Sequence, residues 1–123
     1  GYPGTGQTML SDFTTGAFRI HFHDDGCTAS FWGLSGDAIG MDNTVKYAYT
    51  PIGTGVHKLT WRAYDKQKVL LANVVHVQNW NNCMVYTSFS EPDMKFVHWQ
   101  GPQIRNWDGS SPPGTCPGNT SPH

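Results

Sequence analysis

The sequence has little charge, few strong helix formers and no long apolar run. Charged residues are 14% of the 123, and eight basic against nine acidic side chains leave a formal net charge of −1. That balance lacks the basic surface that nucleic acid or an anionic membrane needs, so neither is expected as a partner. No segment is long and apolar enough to span a bilayer as a helix. No helix-period segment of useful length appears either, which removes the crossover helices that parallel α/β sheets require. No serine sits in a G-x-S-x-G elbow, and Gly4-Thr5-Gly6 is too short for a phosphate loop. Cysteine is scarce: Cys27, Cys83 and Cys116 permit at most one bridge within a chain.

What is present suits an all-β domain with many turns: 14 glycines, 8 prolines and 13% aromatics. The central stretch, GVHKLTWRA at 55–63, alternates with a period of two. His57, Leu59, Trp61 and Ala63 share one face, and Val56, Lys58, Thr60 and Arg62 share the other, as in a half-buried antiparallel strand. AFRIHFH at 17–23 alternates as strictly, with Phe18, Ile20 and Phe22 inward and Arg19, His21 and His23 outward. Asp24-Asp25-Gly26 is a hairpin signal leading into a strand over Cys27–Trp32. Further strands are expected around 8–10, 44–50, 68–78, 84–89 and 94–100, with 33–43 as a loop. Seven or eight short strands joined by tight turns describe a small up-and-down barrel or a sandwich.

One domain over residues 1–107 is expected, followed by a Pro/Gly/Ser-rich tail over 108–123 with too little apolar surface to order itself. Trp107 is placed to anchor the start of that tail. Gly1 rather than Met opens the chain, which reads as removal of a leader or tag. Low Lys and Glu content and the sequon Asn119-Thr120-Ser121 lean towards secretion, with a cytoplasmic location as the alternative.

The order of FRIHFHDDG, GVHKLTW, a long strand, VYTSF and KFVHWQG resembles the calycin-like (lipocalin-type) barrels of the MoaF-like and phenolic acid decarboxylase group, over roughly residues 10–104. The resemblance implies a single small antiparallel barrel around a small-molecule pocket. In the decarboxylases of that group two tyrosines grip the substrate acid and a glutamate moves a proton. Those places fall here on Ile20, Phe22 and Ala63. None of the three can hold a carboxylate or move a proton, so that decarboxylase activity is not expected.

The leading expectation is binding of a small apolar or aromatic molecule inside the barrel, on Phe18, Ile20, Phe22, Phe31, Tyr47, Tyr49, His57, Leu59, Trp61 and Ala63. The enzymatic alternative is a lyase or cyclase in the same cavity, with His57 as acid/base and Tyr47 or Tyr49 assisting. The bland reading of His57 is a core residue hydrogen-bonded to backbone or tyrosine. His76 and His98 read as packing residues. A third class is a secreted carbohydrate-binding or defence protein using Trp32, Trp80, Trp99 or Trp107. His21-x-His23 has the spacing of a metal pair, but solvated or interface histidines are the stronger reading, and no metal or other cofactor is expected. Cys27 and Cys83 are the favoured disulfide, and a second copy of the chain is left open as a partner.

Overall fold

A computed structural model of the chain describes residues 1–65 and 67–109. Eight strands follow one another: β1 (Thr8–Asp12), β2 (Gly16–Phe22), β3 (Thr28–Gly36), β4 (Asn43–Gly53), β5 (Val56–Tyr64), β6 (Leu70–Asn79), β7 (Met84–Ser90) and β8 (Phe96–Ile104). Each pairs antiparallel with the next, and β8 returns to β1, so the sheet closes into an up-and-down barrel. Closure removes the unpaired edges that an open sheet would present to other chains.

The period-two patterns become the two faces of the wall. Phe18, Ile20 and Phe22 of β2 are buried, as are His57, Leu59 and Trp61 of β5. In β6 the buried set is Ala72, Val74, His76 and Gln78, while Leu71, Asn73 and Val75 are exposed. Register locks these faces together: Leu59 lies opposite His76, and His76 opposite Thr87. A slip of one residue would carry every one of these side chains to the opposite face.

Two glycines are needed where they stand. Gly26 takes φ +73° in the β2–β3 turn, a left-handed conformation that costs glycine little. The Asp25 carboxylate accepts the N–H groups of Cys27 and Thr28, each at 2.9 Å, and these bonds hold its pKa well below the usual carboxylate range. Gly101 sits near the seam where β1 meets β8, and a Cβ there would lie 1.8 Å from the Asp12 carbonyl oxygen. The two chain segments can approach so closely only without a side chain.

Three expectations need correction. β3 runs on to Gly36 through a register shift between Ala17 and Phe18 of its partner, so the loop expected at 33–43 begins later. β8 spans 96–104 rather than 94–100, because Glu91 to Met94 close a turn whose N–H of Glu91 reaches the Lys95 carbonyl at 2.9 Å. Cys27 and Cys83 do not pair: Cys27 is an exposed free thiol, and Cys83 is disulfide-bonded elsewhere. Turn position was a poor guide to pairing, since Cα separation and Cβ direction decide it. Residues 110–123, most of the expected tail, lie outside the described residues. The N–H of Trp107 donates to the Thr8 carbonyl at 2.8 Å, which ties the chain to β1 just before them.

Candidate functional site

The barrel interior divides into a packed half and a hollow half. The packed half is stoppered by the N-terminal arm. Tyr2 is 3% exposed, and its ring lies 4.9 Å from Phe22, 5.2 Å from Tyr49 and 5.9 Å from His57. Below it Phe22 and Leu59 are wholly buried. His57 Nδ1 meets the Tyr49 hydroxyl at 2.8 Å, and its ring lies 4.3 Å from Trp80. Burial, then the nearby Arg105 guanidinium, depress the His57 pKa. The Arg105 guanidinium lies 3.8 Å from the centre of the Trp80 ring, a cation–π contact that covers this end.

A polar chain runs from the stopper to the middle of the barrel. The Tyr2 hydroxyl donates to Gln78 Oε1, and Trp80 Nε1–H donates to the same oxygen at 2.9 Å. An indole nitrogen can only donate, so the atom facing it must be the amide oxygen. The Gln78 amide nitrogen then faces His76 Nε2 at 3.0 Å, and His76 Nδ1 faces Thr87 Oγ1 at 2.9 Å. His76 is 1% exposed, and burial pushes its pKa down to about 3, so the ring is neutral.

Beyond His76 and Thr87 the interior opens into a chamber of about 830 Å³. Phe18, Phe31, Trp61, Phe89 and Trp99 form its aromatic wall, with Ile20, Ala63, Ala72, Val74 and Val97 between them. Phe18 meets Phe31 edge-on at 5.8 Å, and Phe89 meets Trp99 at 5.3 Å. The mouth lies among the β3–β4, β5–β6 and β7–β8 turns, where Asp37, Asp42, Asp65, Glu91 and Asp93 line it. Five of the nine acidic residues of the chain are thus gathered at one opening. No lysine or arginine is among the described lining residues. Asp93 alone of the five has an ion pair among the described residues, to Lys95 at 3.6 Å, and both partners are exposed.

The ten residues expected to bind a ligand are therefore divided. Phe18, Ile20, Phe31, Trp61 and Ala63 line the chamber. Phe22, Tyr47, Tyr49, His57 and Leu59 belong to the packed half under Tyr2, outside the chamber lining. Phe13, Ala72, Val74, Thr87 and Phe89, none of them singled out from sequence, also line the chamber, as do His76, read from sequence as a packing residue, and Trp99, read as a candidate for carbohydrate stacking. The signal for His76 was its register with Leu59, which period alone does not give.

The metal alternative finds its histidines engaged with hydroxyls. Thr8 Oγ1 lies 2.8 Å from His21 Nδ1, and Ser30 Oγ lies 2.8 Å from His23 Nε2. Among the described residues no group of three or more His, Cys, Asp or Glu is placed to hold a metal ion. The tryptophans do not share one surface: Trp99 faces the chamber, Trp80 lies at the closed end, and Trp32 is on the outside under Arg19.

The model of the MoaF-like family matches residues 5–103. The barrel also superposes on the crystal structure of a "putative beta-lactamase" from Burkholderia vietnamiensis with a TM-score of 0.74. The two chains are 18% identical over 85% of this chain and 96% of that one, a likeness of fold alone. No curated protein matches the sequence.

Proposed function

Because the chain belongs to the MoaF-like family, a group of barrels, we propose that it binds a small apolar or aromatic molecule in the chamber beyond His76. The observation that carries this reading is the chamber itself. An eight-stranded barrel is just wide enough to be filled by its own side chains, and such barrels stay hollow where they hold a ligand. Here one half is filled and the other holds about 830 Å³ of space walled largely by aromatic rings. That volume falls in the range of about 300–1,000 Å³ typical of small-molecule sites. The carboxylates at the mouth disfavour an anionic guest, so the guest is neutral or cationic.

Binding is favoured over the lyase or cyclase reading by the placement of the histidines. His57, the expected acid/base, is stoppered under Tyr2 and is not among the chamber residues. His76 does reach the chamber, but its two ring nitrogens are engaged by Gln78 and Thr87. The scattered tryptophans give less support to a carbohydrate-binding surface. The disulfide at Cys83 supports an oxidising compartment, hence secretion.

Nile red, a neutral dye that brightens in apolar surroundings, tests the reading. One saturable site per chain is expected. Ala63→Trp should abolish it while leaving the far-UV spectrum and cooperative unfolding intact, because the added indole occupies the chamber. Absence of saturable binding, or binding indifferent to Ala63→Trp, would refute the chamber as a ligand site.

A further inference from the structure

The polar chain beneath the chamber fixes a direction for every proton in it. Trp80 Nε1–H and the Tyr2 hydroxyl both donate to Gln78 Oε1, which leaves the Gln78 NH₂ to donate to His76. His76 Nε2 must accept, so in the neutral ring the proton is on Nδ1. Nδ1–H then donates to Thr87 Oγ1 at 2.9 Å. The Thr87 oxygen is the acceptor of that bond, and its own hydroxyl hydrogen is unspent. Thr87 is 3% exposed and belongs to the chamber lining, and its hydroxyl makes no other hydrogen bond among the described residues. A buried donor without an acceptor is costly, and an apolar wall offers it none.

We propose that Thr87 is the specificity-determining residue of the chamber: its hydroxyl donates to a carbonyl or ether oxygen at the buried end of an uncharged aromatic guest. This rests on the chamber being a ligand site. The relay leaves the floor with an unspent donor turned away from His76, because pointing the Thr87 hydrogen at His76 would oppose the Nδ1 proton. Trp61 and Phe31, neighbours in the chamber wall with ring centres 6.2 Å apart and planes inclined at 33°, offer aromatic surface that suits a flat ring system. The five mouth carboxylates disfavour a carboxylate guest, although a carboxylate would otherwise be the strongest acceptor for Thr87.

Three naphthalenes of similar shape test this by calorimetry: 2-acetylnaphthalene, 2-ethylnaphthalene and 2-naphthoate. The ketone should bind about 2–12-fold tighter than the hydrocarbon, the range of one net hydrogen bond. Naphthoate should bind weakest. Thr87→Val should erase the difference between ketone and hydrocarbon, and Thr87→Ser should keep it. Independently, the long-range ¹H–¹⁵N spectrum of the free protein should report His76 as the Nδ1–H tautomer. Equal binding of ketone and hydrocarbon by the unaltered protein, or an Nε2–H tautomer at His76, overturns the role of Thr87 and leaves the chamber reading standing. Failure of all three probes and of Nile red overturns both.

Discussion

The Trp61 indole and the His76 imidazole lie 5.2 Å apart, with their planes inclined at 43°, and mark the level where packing gives way to space. On one side are Phe22, Leu59 and Tyr2, buried against one another. On the other are the chamber rings. Both halves are walled by the same strands, so β5 contributes core at Leu59 and chamber wall at Ala63.

That boundary predicts a split between stability and binding. Phe22→Ala removes a fully buried ring from the packed half and should cost about 3–5 kcal/mol of unfolding free energy. Phe18→Ala removes a ring whose inner side meets the chamber, so fewer packing atoms are lost. It should cost less stability and weaken Nile red binding severalfold. Urea titration and dye titration of both variants check this, and equal stability losses with unchanged binding would refute the division.

His76 makes stability depend on pH. Its folded pKa is depressed to about 3, below the ordinary value of 6.5, so the unfolded chain binds the proton first. Stability is therefore full above pH 6.5 and falls as pH drops through that value. Between pH 7.5 and pH 5 one such histidine costs about 2 kcal/mol. His57, also depressed, adds in the same direction. Asp25, held below the usual range, acts only at lower pH. His76→Gln should flatten the urea midpoint over this interval, and an unchanged profile would count against a neutral buried His76.

Tyr2 predicts a strong dependence on the N-terminal arm. Its ring touches Phe22, Tyr47, Tyr49, His57 and Trp80. Tyr2→Ala should cost about 3–5 kcal/mol, in the range of buried aromatic truncations. Tyr2→Phe keeps the ring and removes the hydroxyl's bond to Gln78, with a weak contact to Met9 Sδ, worth about 0.5–1.5 kcal/mol. Similar losses for both substitutions would mean that the hydroxyl, not the ring, holds the stopper.

The thiols give a chemical check. Titration of the native chain without reductant should find one accessible thiol, and peptide mapping should place the label on Cys27. Cys27→Ser should leave the melting temperature unchanged, because the side chain is exposed. Label on Cys83 in the native protein would contradict its disulfide.

The sequence by itself determined the strands and most of their inner faces. Phe18, Ile20 and Phe22 alternate with polar neighbours, as do Leu59 and Trp61, and a contrast of that kind has one solution on a half-buried strand. Register and closure were decided only by the tertiary structure. In β6 the run ANVVHVQ carries valines on both faces, so no contrast told which way His76 and Gln78 point. Pairing with β5 set Leu59 opposite His76 and turned both inward. The location of the hollow was likewise not local information. It follows from Tyr2, which lies 76 residues from Gln78 in sequence and yet stoppers the end of the barrel that holds it. The same end holds His57, which is why the residue that looked most like a site lies in the packed half, while Thr87 and His76 form the floor of the chamber.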